Sequence, residues 1–162
     1  MPTKEKIIKL SLLALIVATL LFIFIQSALP PEKSSAESDT VGGIIAEIIP
    51  PETKPGAFIQ LNLRKIAHFT EFFILGVELA AYVSLFMKRR VFVALSYPAV
   101  LISAFFDESI QMFSGRGPAI FDVWIDFFGF FVSASLTYAI FFVARYIMRK
   151  KHEDLNKNGK NN

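Results

Sequence analysis

The chain has 162 residues, 54% of them apolar, with 18 Phe, no Cys and a net charge of +3. That length allows one domain, and the polar residues are concentrated in one connection and the C-terminal tail, which argues against a small soluble fold. The lack of Cys excludes disulfides, thiolate metal sites and thiol nucleophiles, and basic residues beside apolar runs fit a membrane topology signal better than a nucleic-acid surface.

The first apolar span covers residues 7–25, and only Ser11 and Thr19 interrupt residues 10–25. About 19 helical residues nearly cross a hydrocarbon core of about 30 Å. Lys4, Lys6 and Lys9 precede the span, and Ser27 and Ala28 follow it, so it also resembles a signal peptide. Its length and the prolines just beyond it favour an uncleaved anchor. Residues 26–65 form a polar connection in which Pro30, Pro31, Pro50, Pro51 and Pro55 break regular structure. Between them Val41, Ile44, Ile45, Ile48 and Ile49 recur at helical spacing. They predict a short amphipathic helix on the membrane surface or over the bundle. Forty residues is long for a connector, which leaves a lid and a solvated loop both open.

Further spans cover residues 66–87, 91–113 and 120–148, with Pro98 expected to kink the third. The expectation is an all-α integral membrane protein: a four-helix bundle over residues 1–148, followed by a basic, disordered tail over residues 149–162. Twelve of the 17 basic residues fall on one side of such a bundle: in the N-terminal segment, the 88–90 turn and the C-terminal end. Both termini are therefore expected in the cytoplasm.

The ionisable residues crowd at the other, extracytoplasmic end. A charge at the centre of a bilayer costs roughly 2.5–3.5 kcal/mol on the insertion scale, so such a cluster is a candidate functional site. Arg64, Lys65, His68 and Glu71 open the second span, and Arg64, His68 and Glu71 share one helix face. His68 and Glu71 suit a base and its orienting partner, or two metal ligands. An interfacial role is the plainer reading of Arg64 and Lys65, whose heads can snorkel to lipid headgroups. Glu78 lies deeper on the same face, where a bond to a neighbouring helix would account for it.

Asp107, Glu108 and Gln111 share one turn at the end of the third span. Adjacent carboxylates there need protons, Arg64, Lys65, Arg116, a protonated His68 or a divalent metal to balance them. The run Ser114, Gly115, Arg116, Gly117, Pro118 predicts a tight turn whose amides could approach an anion. Asp122 and Asp126 open the fourth span, and Asp122, Gly129 and Ser133 continue as a narrow small-residue face. Asp122 could do no more than satisfy a helix N-terminus. The Phe-rich runs are read as packing or lipid-facing residues, and Trp124 as an interfacial anchor.

Three motifs follow in order. They are Arg64-Lys65-x-x-His68-Phe69-x-Glu71-Phe72, then Asp107-Glu108-x-x-Gln111-x-Phe113-x-x-Arg116, then Asp122 with Asp126 and Gly129. This order resembles the VanZ-like family of small bacterial membrane proteins over about residues 20–145, with Gln26 and Ser27 a weaker match. The chain has Phe72 where that family often has Tyr, and Asp126 where many members have Asn. The resemblance implies a cell-envelope protein related to the accessory protein of glycopeptide-resistance clusters that gives low-level teicoplanin resistance. It implies a phenotype class and no defined reaction.

Three functions follow from these residues. One is a binder in which Arg64, Lys65, Gln111 and Arg116 hold an anionic lipid-linked wall precursor or the glycopeptide. Another is an enzyme acting on an envelope lipid or peptide. His68, Glu71 and Asp107 would then be the catalytic candidates, and Glu108, Asp122 and Asp126 would hold a divalent cation such as Mg²⁺. An ion pathway is the third, disfavoured because the polar residues cluster at one end. Membrane lipids are the expected partners in each case, with no role for nucleic acid.

Overall fold

The computed structural model describes residues 3–87, 89–117 and 119–158. Residues 1–2, Lys88, Pro118 and residues 159–162 lie outside them, including part of the turns and tail read from the sequence. Among the described residues there are five helices and no strand. They are α1 (Lys4–Ser27), α2 (Pro31–Ile48), α3 (Lys54–Phe86), α4 (Val91–Phe113) and α5 (Ile120–Asn158). All but α2 are long and apolar enough to cross a membrane. The protein is a multi-pass membrane protein by this measure.

Two sequence expectations need correction. The connection at 26–65 is mostly helical, since α2 spans 18 residues and α3 begins at Lys54 rather than Ile66. Pro30, Pro50 and Pro51 lie in the links between helices, as expected, whereas Pro31 and Pro55 start helices instead of breaking them. Pro31 and Pro55 sit in first turns, where the absent N–H would have no partner anyway. The Thr53 hydroxyl caps α3 by accepting from Gly56 N at 3.1 Å. The tail is also more ordered than its composition suggests, because α5 continues through Asn158. An Arg149–Glu153 pair at 3.5 Å, one turn apart, supports that extension. Pro98 lies inside α4 without dividing it.

Packing centres on α3 and α5. A Cβ built on Gly129 would meet the Phe69 carbonyl oxygen, and one on Gly76 would meet Ser133 Oγ and the Phe130 carbonyl. Small residues thus bring the two backbones together, as the Gly129 and Ser133 spacing predicts. Phe72, Leu75, Ala104, Phe130 and Ala134 fill the core between α3, α4 and α5. Tyr97 and Ser96 of α4 bond to Ser135 Oγ and Tyr138 of α5 at 3.1 and 3.0 Å. By contrast α1 buries only Ile16, Ile23 and Ser27, leaving Leu10, Leu21 and Phe22 outward. Outward Leu and Phe on every spanning helix are what a lipid solvent permits. Of the Phe runs, Phe130 is core, while Phe128, Phe131 and Phe142 are exposed.

Thr19 fastens α1 to α3 by donating to Glu78 Oε1 at 3.0 Å, the neighbouring-helix bond anticipated for Glu78. Glu78 is buried, and its other oxygen has no protein partner. Thr19→Val should therefore cost about 1–3 kcal/mol, the usual penalty for orphaning a buried acceptor. Thr19→Ser should stay near wild type. Thermal unfolding in detergent measures both, and equal melting temperatures for the three proteins would contradict the argument.

Candidate functional site

The ends of α1 and α4 and the start of α5 meet α3 around Arg64 and His68, where its apolar part begins. This convergence makes one buried polar cluster. Gln111 is its hub, fully buried, with Oε1 accepting from Arg64. Its Nε2 donates to Asp107 Oδ2 at 2.9 Å and lies 3.5 Å from both Ser27 Oγ and His68 Nε2. Asp107, also fully buried, accepts a second bond from Ser27 Oγ. Ser114 adds a brace, donating to the carbonyls of Ser27 at 3.0 Å and Gln111 at 2.9 Å.

His68 stands between two carboxylates. Its Nδ1 is 3.6 Å from Asp107 Oδ2 and 3.3 Å from Asp126 Oδ1. Neither Asp126 oxygen has a hydrogen-bond partner, although the residue is wholly buried. No Ser or Thr hydroxyl bonds to His68 among the described residues. Ser27 directs its proton to Asp107 instead, so the cluster lacks a serine nucleophile paired with an imidazole.

Two arginines border this cluster. Arg116 is buried and donates to the Gln26 carbonyl at 3.0 Å. A C-terminal cap on α4 sets its position. Gly115 takes a φ of 83°, the Gly115 amide bonds to Met112 O at 3.4 Å, and the Arg116 amide bonds to Gln111 O at 3.1 Å. These amides are thus committed to the helix end and do not form the anion nest that the glycines suggested. Burial, and next the charge of Arg64, pull the Arg116 guanidinium below its ordinary value. The ion pairs found among the described residues are His68 with Asp107, His68 with Asp126, and Arg149 with Glu153, so neither Arg64 nor Arg116 has a carboxylate partner.

Both arginines face a cavity of about 440 Å³. Its apolar wall includes Phe22 of α1, Val41 and Ile45 of α2, and Ile74 of α3. Glu71, His68 and Ser27 line its polar part, and α2 adds Ser34, Glu37 and Ser38. The amphipathic α2 forms one wall of this cavity, and Gln60 of α3 holds it by donating to Gly42 O at 2.7 Å.

The remaining candidates lie elsewhere. Lys65, next to Arg64, is exposed, does not line the cavity, and sits 5.9 Å above the Phe121 ring. Glu108 and Asp122 are both buried but fall outside the group of metal-capable donors around His68. Glu108 Oε2 accepts from Ala119 N at 3.0 Å and so ties the loop before α5. Asp122 occupies the first turn of α5, where the helix dipole favours a carboxylate. The donors that could share one metal ion are His68, Asp107 and Asp126, all mutually within 4.8 Å. Sequence reasoning missed Ser114 and the closeness of Ser27 to Asp107. Ser27 carried a signal, a hydroxyl at the end of an apolar span, whereas nothing distinguished Ser114.

The family described as VanZ/LLP1 matches residues 12–144. The chain belongs to the VanZ/LLP1 family. The matched region runs from within α1 through most of α5, and contains every residue of the polar cluster and both cavity arginines. No curated protein and no solved structure matches the chain. For this VanZ/LLP1 protein, functional assignment therefore rests on the site.

Proposed function

We propose that this protein binds an anionic amphiphile of the bacterial cell envelope, a lipid-linked wall precursor, at the outer face of the cytoplasmic membrane. One observation carries the reading. Arg64 and Arg116 face a single cavity beside an apolar wall, and among the described residues neither is within ion-pair distance of a carboxylate. Two guanidiniums can hold phosphate oxygens through paired donors. Phe22, Val41 and Ile45 suit the start of a lipid chain, while Glu71, Ser34 and Ser38 offer hydrogen bonds to a polar headgroup. The distribution of basic residues supports an outward-facing cavity and cytoplasmic termini. Retaining a wall precursor would connect the site to the glycopeptide resistance associated with the family. The antibiotic itself is a poorer fit, because a cavity of about 440 Å³ accommodates a drug-sized group or a headgroup.

The test uses full-length protein in nanodiscs of zwitterionic lipid, with binding read by native mass spectrometry. A polyprenyl phosphate should be retained and the matching uncharged polyprenol should not. Equal retention of the two would refute a phosphate-reading site.

A further inference from the structure

The geometry points to a divalent transition-metal site, best suited to zinc, formed by His68 Nδ1, Asp107 Oδ2 and Asp126 Oδ1. These atoms come from α3, α4 and α5, so one ion would join three helices. Donors about 2.0–2.1 Å from a tetrahedral ion lie about 3.3–3.4 Å apart. The two separations from His68 Nδ1 are 3.3 and 3.6 Å, and each of the three residues offers one donor within 4.8 Å of the others.

A second observation also indicates a missing cation. Asp126 is fully buried, neither of its oxygens has a hydrogen-bond partner, and its Oδ1 points at His68 Nδ1, which has none either. Buried native polar atoms are rarely left so. Among the described residues, Arg64 and Arg116 do not pair with either aspartate. A neutral imidazole, two carboxylates and a divalent ion sum to zero charge, the condition a low-dielectric interior favours. Ser27 and Gln111 hold Asp107 by hydrogen bonds, the outer support usual around metal-binding carboxylates.

Three protein donors leave one tetrahedral position open, as catalytic zinc sites do. His68 belongs both to this cluster and to the cavity wall, so the ion would lie beside the space where a phosphoryl group would sit. This site differs from a Mg²⁺ site built from Glu108, Asp122 and Asp126. An imidazole with two carboxylates suits zinc better than Mg²⁺, which takes oxygen ligands and retains water.

The test does not depend on the amphiphile reading, because no amphiphile is added. Full-length protein with a histidine-free affinity tag is purified in detergent, stripped with chelator, exposed to Zn²⁺ and passed through gel filtration. Elemental analysis counts the zinc, and X-ray absorption reads its ligand shell. Wild type should elute with about one zinc per chain in a shell of nitrogen and oxygen containing one imidazole. Asp126→Asn should elute at the same volume without zinc, and Glu71→Gln should retain it. Zinc-free wild type, zinc kept by Asp126→Asn, or a shell with two imidazoles would each overturn the site. The last would require His152, the only other histidine. If Asp126→Asn does not elute as a single species, wild-type stoichiometry and ligand shell decide the question alone.

Discussion

Arg116→Gln should weaken retention of a polyprenyl phosphate by about 10- to 100-fold, because a hydrogen bond to a charged group contributes roughly 1.5–3 kcal/mol. The guanidinium is buried, so little water screens it, and its position is fixed by the α4 cap and the Gln26 carbonyl. Arg64→Gln should act in the same direction but less strongly. Arg64 is more exposed, and its bond to Gln111 anchors it to the cluster rather than to the cavity alone. Lys65→Gln should leave binding unchanged, since Lys65 lies over Phe121 outside the cavity. Titrating the lipid against the three variants in nanodiscs measures these effects. A loss with Lys65→Gln equal to that with Arg116→Gln would mean that general surface charge, not a built pocket, attracts the phosphate. Teicoplanin susceptibility of a Gram-positive host expressing the same variants at matched abundance links binding to phenotype.

The second large effect concerns packing. Gly129→Val should lower stability by about 1–3 kcal/mol or more, the range for overpacking a close interface. The added branch meets the Phe69 carbonyl and neighbouring backbone atoms, which cannot swing aside as a flexible side chain would. The melting temperature in detergent should fall by roughly 2–12 °C, taking about 2–4 °C per kcal/mol for a chain of this size. Asp126 lies one turn before Gly129 on α5, so separating the helices also draws it away from His68. Gly43→Ala serves as the comparison, because a Cβ there meets nothing within 4 Å. A Gly129→Val protein that melts with wild type would show that α3 and α5 can part without cost.

The four spans were legible because apolar length alone decides them. The start of α3 was not. Proline signals both the end of a helix and the first turn of one, and only the Thr53 cap distinguishes the two. Crowding of ionisable residues at one end was also legible, and the cluster of His68, Asp107, Gln111 and Asp126 follows from it. The division of labour was harder to read. Arg64 and Lys65 are adjacent, but successive helical residues point about 100° apart, so one enters the cavity and the other does not. Whether Asp126 or Glu108 faces His68 depends on how α4 and α5 are rotated about their axes. A single sequence records that rotation only through the narrow Gly129 and Ser133 face.

The sharing of polar partners across helices bears on how the protein is made. Of the four spanning helices α1 carries no ionisable residue in its apolar run, whereas α4 carries Asp107 and Glu108. Besides Gln111 on α4 itself, the carboxylates of α4 find donors on α1, α3 and the loop before α5: Ser27 for Asp107, His68 beside it, and Ala119 for Glu108. A nascent α4 leaving the translocon alone would carry Asp107 and Glu108 into lipid without those donors, at a cost of several kcal/mol. α1 can enter the bilayer unaided, but α4 meets these donors only by packing against α1 and α3 and once the chain reaches Ala119. Every one of these partners precedes α5, so satisfying Asp107 and Glu108 waits on α1, α3 and Ala119 rather than on the last helix.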